Sequence, residues 1–284
     1  VSEKQKILRS FLREDVSLGN VNFQAILESK AKDILGKSTI DAQSFVAANS
    51  RKYWNWFTEM IDLQQRRGIL PYFSAVGGGV QAFSHTACSF QLSGDPNEQF
   101  IGKLAYSRPS ILRQLDTLND REYEAMACVA CNAIGARFQV LTPSGNEGGI
   151  DFIATLPMKN SCHIFSAIGS ELRIIGQCKK YQTPVTVDRL DQFIQTMNNV
   201  RYRNERVRKH LPSWFEEARG PIIGWIVAHA GYQTGASDQA KAHGIILSDT
   251  IDMTELFSFS PSFYTSDSPV TRALHLYNQC KKLL

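Results

Sequence analysis

Asp151, Gln177 and Lys179 are the residues whose types and spacing could do chemistry. They lie within GGIDFIATLPMKNSCHIFSAIGSELRIIGQCKKYQTP, residues 148–184. A carboxylate follows directly on a glycine pair, and an apolar run ends in an amide and two lysines. Side chains alternate along a strand, so Gln177 and Lys179 leave one face while Cys178 and Lys180 leave the other. By that parity Lys180 reads as a bystander. Gly148 and Gly149 let the backbone turn sharply, which leaves Asp151 at a strand start. If that strand pairs with 172–179, Asp151, Gln177 and Lys179 converge. A carboxylate and an amide oxygen are hard ligands suited to Mg²⁺, an ion that keeps several waters and binds phosphate oxygens. A lysine beside them would orient or deprotonate the attacking water and offset charge developing on a phosphate. Each residue also has a plainer role: Asp151 as a turn cap, Gln177 as partner to a backbone group, Lys179 as a solvated strand end.

The elements that must position these residues form a mixed α/β run from about residue 111. ILRQLDTLNDREYEAMACVACNAIGA reads as helical, with Asn119 or Asp120 as cap candidates and Gly135 as its stop. RFQVLT, IDFIATL, HIFSAI and ELRIIGQCK read as strands, with the glycine-rich PSGNEGG and a turn at 158–161 between them. VDRLDQFIQTMNNVRYR follows as an amphipathic helix with Leu190, Phe193, Ile194 and Met197 on its apolar stripe. PIIGWIVAHA and IILSD are further strands. Between them lies a short helix with Ser237 as the expected N-cap; DMTELF and the tail around Leu274 and Tyr277 complete the helices.

Residues 3–63 read as helices carrying Phe11, Phe23, Tyr53, Trp54 and Phe57. Beyond Gly68 the pattern shifts to period two in ILPYFSAVGGGVQAFSHTACSFQLS, with Gly77–Gly79 as the turn of a hairpin. Helices followed by such a hairpin resemble a winged helix; a small packing or dimerisation domain would show the same pattern. SGDPNEQ, 93–99, reads as a loop, and Ser107–Ser110 as a domain boundary. The expected division is therefore 1–110, an N-terminal helical and hairpin domain for recognition or assembly; 111–258, the α/β domain; and 259–284, a helical tail.

With 43% hydrophobic and 20% charged residues, the 284-residue chain has the composition of a globular protein. Its net charge of +4 is neutral on nucleic-acid binding, which depends on where the charges lie. The cysteines at 88, 128, 131, 162, 178 and 280 form no disulfide framework, and Cys128-x-x-Cys131 lacks a second pair for zinc. These readings, with the absence of any apolar run of membrane-spanning length, make a cytoplasmic protein the expectation. The chain opens without Met, as a processed chain or a piece of a larger one would. His163, His229 and His243 lack a nuclease spacing and read as structural, and GNEGG matches no dinucleotide or Walker motif.

GNEGGID, closely upstream of QCK in one α/β run, resembles the D…(E/Q)xK core of the restriction-endonuclease-like superfamily, and more closely its Mrr-like branch with Gln in place of the acid. REYEAMACVACNAIGA resembles that family's first helix, with Tyr123-Glu124 as the aromatic–Glu pair. GWIVAHAGYQTGASDQAKAHGIILSDTIDMTELF resembles its closing strand, helix, strand and helix. The likeness spans roughly 112–257 and implies a mixed central sheet flanked by helices. It also implies Asp151 as principal metal ligand, Gln177 as second ligand, Lys179 as catalytic lysine, Glu124 as a further carboxylate holding metal through water, and the Cys178 main-chain carbonyl as a ligand. Glu147 stands where the family often has Asp before its glycine pair. The resemblance makes the chain an endonuclease acting on DNA with Mg²⁺, for which Mn²⁺ would substitute, in host defence. It would be free-standing or the effector of a larger immune protein, with a sensor domain or partner subunit. Two active sites are needed for double-strand cleavage, so a homodimer or higher oligomer is expected. A noncatalytic nucleic-acid-binding module on the same fold is the alternative.

NNVRYRNERVRKHLPSW, 198–214, places Arg201, Arg203, Arg206, Arg208 and Lys209 around Tyr202, a density that suits phosphate contacts. A solvated helix face explains any one of them equally well. Tyr181, just past the catalytic strand, is a further candidate for substrate contact.

Overall fold

The structure, a computed structural model, describes residues 2–77, 79–143, 145, 148–158 and 171–284, with the Arg206 side chain outside that description. Glu147, Cys162, His163, the expected strand HIFSAI and most of the turn at 158–161 lie outside the described residues. By its internal packing the chain forms two units. One comprises Val1–Arg113 and Ser266–Ala273, the other Gln114–Thr265 and Leu274–Leu284. No described helix is long and apolar enough to cross a membrane.

The first unit runs α1 (Glu3–Phe11), β1 (Val21–Asn22), α2 (Phe23–Leu35), α3 (Thr39–Arg66), β2 (Phe73–Ala75) and β3 (Ala82–His85). Then come α4 (Thr86–Gln91), α5 (Pro96–Tyr106) and the start of α6 (Arg108–Thr117). The predicted hairpin is present: β2 pairs antiparallel with β3, and β1 joins on the other side of β3. Its core is aromatic, with Phe11, Phe23, Phe57, Phe73 and Phe83 stacked, tilted or edge-on against one another. Two expectations are corrected. HTACSFQ does not extend the strand, since β3 ends at His85 and Thr86–Gln91 turns into a helix. SGDPNEQ is not wholly loop: Asp95 accepts from the Asn97 N–H, Pro96 takes the first helical position, and α5 begins there.

The second unit holds a five-stranded sheet in the order β4 (Phe138–Leu141), β5 (Phe152–Pro157), β6 (Glu171–Lys179), β7 (Ile222–Ala228), β8 (Ile245–Asp249). β4, β5 and β6 are antiparallel neighbours, whereas β6, β7 and β8 run parallel. The expected mixed sheet flanked by helices is the fold found. α7 (Asp120–Ala133) begins at Asn119 in a capping box with Glu122. α8 (Val187–Arg201) follows β6, and α9 (Glu205–Arg208) and α10 (Ser213–Glu217) lead into β7. α11 (Thr234–Ala242), α12 (Thr250–Phe259) and the tail helix α13 (Pro269–Lys281) complete the chain. α11 is capped at Gln233, one turn earlier than Ser237, which lies inside it. Odd-numbered residues of β5 and β6, Ile153 and Ile175 among them, pack with Leu190, Phe193 and Met197 of α8 and with Ala236 and Ala240 of α11. On the even-numbered face a Cβ at Gly176 would run into the Phe152 ring, so only glycine lets that ring cross β6.

Candidate active site

β5 and β6 part company at Asp151. The last registered pair is Phe152 with Gly176, and the Asp151 N–H still donates to the Gly176 carbonyl at 2.8 Å. Before it, Gly148 and Gly149 have φ of 69° and 84°, left-handed values that turn the chain out of the ladder. The next rung is made by a side chain, with the Cys178 N–H donating to Oδ2 of Asp151 at 2.6 Å. Thr142, at the end of β4, fixes the same corner from the other side. Its hydroxyl donates to the Ile150 carbonyl at 2.6 Å and the Asp151 carbonyl at 2.9 Å.

Gln177 is 8% exposed, and its Nε2 donates to the Gly149 carbonyl at 2.8 Å. The Thr196 hydroxyl of α8 donates to the Gly148 carbonyl at 2.8 Å, so an amide and a hydroxyl grip the glycine pair together. With its nitrogen bonded to Gly149, the Gln177 amide has its oxygen as the atom that can accept a cation. Cys178 sends its buried thiol to the opposite face. Burial pushes that thiol well above the ordinary value, and the negative charges of Asp151 and then Glu124 add to the shift. In an antiparallel ladder the N–H and C=O of one residue point the same way. The Cys178 carbonyl therefore faces the gap that its N–H bridges to Asp151.

Lys179 ends β6, and its carbonyl accepts from the His229 N–H at 2.9 Å. Its half-buried side chain shares the Gln177 side of the strand and brings its ammonium 6.0 Å from the ring centre of Tyr181, which is 40% exposed. Glu124 stands on α7, where Arg121 donates to its Oε2 at 2.7 Å and, through its other terminal nitrogen, to the Thr142 carbonyl at 2.7 Å. One guanidinium thus joins the α7 carboxylate to the corner that carries Asp151.

These donors fit a hard divalent cation: a carboxylate, an amide oxygen and a main-chain carbonyl around one strand end. Among the described residues no three His, Cys, Asp or Glu side chains form a metal-binding group, so the set depends on Gln177 and Cys178 oxygens.

Residues 115–257 match the Mrr_cat family, described as restriction endonuclease. The chain belongs to that family. No curated protein matches it. Among solved structures it is similar to the MspJI restriction endonuclease in complex with a 27-mer oligonucleotide, at 16% identity and a TM-score of 0.38. That match covers 66% of this chain and 38% of MspJI. It is also similar to the DNA modification-dependent restriction endonuclease AspBHI, at 17% identity and a TM-score of 0.40, covering 79% of this chain and 49% of that one. A third likeness is to restriction endonuclease FokI bound to DNA, at 12% identity and a TM-score of 0.35, covering 89% and 44% of the two chains. The chain spans less than half the length of each.

Within this Mrr_cat domain Lys180 stays outside the Asp151–Gln177 corner, as parity implied, and has a structural role of its own. Its ammonium donates to the Leu115 and Asp116 carbonyls at 3.0 and 2.9 Å, capping the C-terminus of α6. Burial lowers its pKa, against the opposing charges of Asp116, Asp120 and Glu122. Beside it the Thr250 hydroxyl joins the Tyr123 hydroxyl at 2.9 Å and Nδ1 of His229 at 3.0 Å.

The basic stretch lies elsewhere. Arg201 donates to the Ile222 carbonyl at 3.3 Å, and Arg208 holds Glu216 through two nitrogens at 2.7 and 3.3 Å. Tyr202, Arg203, Lys209 and His210 are exposed. Arg201, Arg203 and Arg208 line a cleft with Arg173, six residues before Lys179 in β6. At about 3.3 Å per residue that is roughly 20 Å from the Lys179 end of the strand. Arg121, Thr142, Thr196 and Arg173 escaped the sequence reading because their importance comes from partners remote in the chain. The parity that paired Gln177 with Lys179 places Arg173 on that face as well.

Proposed function

We propose that the chain hydrolyses DNA phosphodiester bonds at the end of β5 and β6, in a reaction that depends on Mg²⁺ or, in its place, Mn²⁺. The observation that carries this reading is the anchoring of Asp151 and Gln177 where the two strands part, the first by the Cys178 N–H and the second on the Gly149 carbonyl, with Lys179 ending β6. When bound, the ion would polarise the phosphate and lower the pKa of a coordinated water. Asp151, the Gln177 amide oxygen and the Cys178 carbonyl would hold it, with Glu124 acting through water.

The protein's own groups set the stage for this. Cys178 and Thr142 fix Asp151 from either side. Gly149 orients the Gln177 amide, leaving its oxygen for the site. The Lys179 ammonium orients the attacking water and offsets charge growing on the phosphate. Tyr181 contacts the substrate near the scissile group, and Arg201, Arg203, Arg206, Arg208 and Lys209 contribute phosphate contacts. Family membership at 115–257 supports the activity; restriction endonucleases of this kind typically use divalent metal ions.

The N-terminal unit, with its order α1-β1-α2-α3-β2-β3, would recognise DNA or a modification on it. The whole would act as a homodimer or higher oligomer in restriction or antiviral defence, alone or as the effector of a larger protein. The test is cleavage of supercoiled plasmid, methylated and unmethylated, with Mg²⁺, with EDTA, and with Lys179→Ala. Mg²⁺-dependent nicking or linearisation that the variant loses supports the reading. Retardation of DNA without cutting at any Mg²⁺ concentration would leave a binding module.

A further inference from the structure

At the start of β6, remote from Lys179, Arg173 enters a cleft of about 300 Å³ with Arg201, Arg203 and Arg208. Val200, Leu211, Phe215 and Ile222 supply its apolar lining. Arg173 is anchored there, with Nε donating to the Gly220 carbonyl at 2.8 Å and the guanidinium 5.4 Å from the Phe215 ring centre. Its terminal nitrogens make no hydrogen bond among the described residues. Burial first, and then the positive charge of Arg203, push its pKa down, so two guanidiniums oppose each other across this space. Two acids also line the cleft, Glu216 and Glu217; Arg208 holds Glu216, whose charge acts on Arg203 and Arg173 as well.

Arg203 bears a second cost. Its φ is 55°, which no other non-glycine residue among those described shares as a positive value. Left-handed backbone disfavours a side chain with a Cβ, and it persists where surrounding structure or function maintains it. The Arg203 guanidinium has neither a hydrogen bond nor an ion pair among the described residues. A strained backbone thus presents a cation towards another cation, which an anion between them would stabilise.

We propose that this cleft is a second phosphate site, taking a phosphate monoester with an apolar or aromatic body, of the nucleoside monophosphate class. The guanidiniums of Arg173 and Arg203 in one cleft suit the clustered oxygens of a terminal phosphate, and the apolar lining suits a nucleoside. The volume lies at the lower end for small-ligand pockets. A free nucleotide and the phosphorylated end of a DNA strand share this chemistry. The inference rests on the basic stretch being phosphate-binding and is independent of hydrolysis at Asp151.

The test is isothermal titration of the full chain with deoxyadenosine monophosphate, with deoxyadenosine, and with a short oligonucleotide with or without a terminal phosphate. The monophosphate is expected to bind and the nucleoside not. Arg203→Gly and Arg173→Gln should each weaken binding by about tenfold or more, the loss of one charge-assisted contact. Arg203→Gly should do so with no fall in Tm, because glycine adopts the left-handed backbone freely. That separation would not arise if Arg203 were merely structural. Asp151→Asn should keep the monophosphate site, so failure of the nuclease reading and failure of this one remain distinct. Tighter binding of the phosphorylated oligonucleotide than of the monophosphate assigns the site to a strand end, and the reverse assigns it to a nucleotide. No monophosphate binding by the wild type, or binding that survives both substitutions, overturns the proposal.

Discussion

Oδ2 of Asp151 accepts a 2.6 Å hydrogen bond from the main-chain N–H of Cys178. A carboxylate has here taken the place of a backbone carbonyl in the ladder, so its position is set by the sheet and not by a free rotamer. The bond also brings the proposed principal ligand beside the Cys178 carbonyl, which faces the same gap.

Asp151→Asn should therefore fold normally, since an amide oxygen can accept from Cys178 in the same way. Its NH₂ group would then occupy the remaining ligand direction with donors that repel a cation. Cleavage is expected to fall by at least about 100-fold, on the scale seen when a charge-stabilising group is removed. Calorimetric titration with Mg²⁺ should show the matching loss of affinity. Wild-type Mg²⁺ affinity in this variant would exclude Asp151 as a ligand.

Gln177→Glu should separate stability from metal binding. Nε2 of Gln177 donates to the Gly149 carbonyl at 2.8 Å, and a glutamate cannot make that bond while ionised. A buried carboxylate facing a carbonyl should cost about 1–3 kcal/mol without metal. The same added charge should strengthen Mg²⁺ binding. The expected result is a lower Tm in EDTA and a larger rise on adding Mg²⁺ than in the wild type. Equal Mg²⁺-induced shifts in the two proteins would place Gln177 outside the ligand set.

The sequence made this end of the site readable because strand parity is a strict rule. It separated Gln177 and Lys179 from Cys178, and the glycine pair marked where Asp151 would leave the strand. It gave no access to Arg121, whose two bonds reach Glu124 on its own helix and Thr142 just past the end of β4. The ladder-replacing bond from Cys178 was equally hidden, because it depends on register. The partner of Lys180 was hidden for a related reason: parity says which face a side chain leaves, but not that the end of α6 waits there. In the first unit, period two through HTACSFQ could not reveal that the chain turns helical after His85.

Glu124→Gln tests the most remote member of the proposed set. The Arg121–Glu124 pair is partly exposed, at 33% and 24%, so its loss should change stability by no more than about 1 kcal/mol. Mg²⁺ affinity should fall by roughly tenfold or less, the effect of a carboxylate acting through water. Arg121→Gln should reproduce part of that fall by loosening both Glu124 and the Thr142 corner. Additivity of the two substitutions in Mg²⁺ affinity would mean that Arg121 does not act through Glu124.

The fourth prediction concerns acid. His85 ends β3 in the first unit, and burial lowers its pKa from 6.5 to about 4, against the opposing charge of Glu14. Between those values the unfolded chain binds a proton that the folded chain does not, so stability falls as pH drops from about 6.5 towards 4. The loss from this residue should approach about 3 kcal/mol and level off below the folded pKa. His85→Gln should remove that slope, measured as hydrogen exchange of the β3 amides at pH values across the window. Glu122 loses stability in the same direction but at lower pH: its hydrogen bond from Lys281 leads the causes that lower its carboxyl pKa. Its contribution is full above the ordinary carboxylate range and is lost as pH falls through its depressed folded value, so it cannot imitate the His85 window. An unchanged slope in His85→Gln would mean that another group protonates there on unfolding.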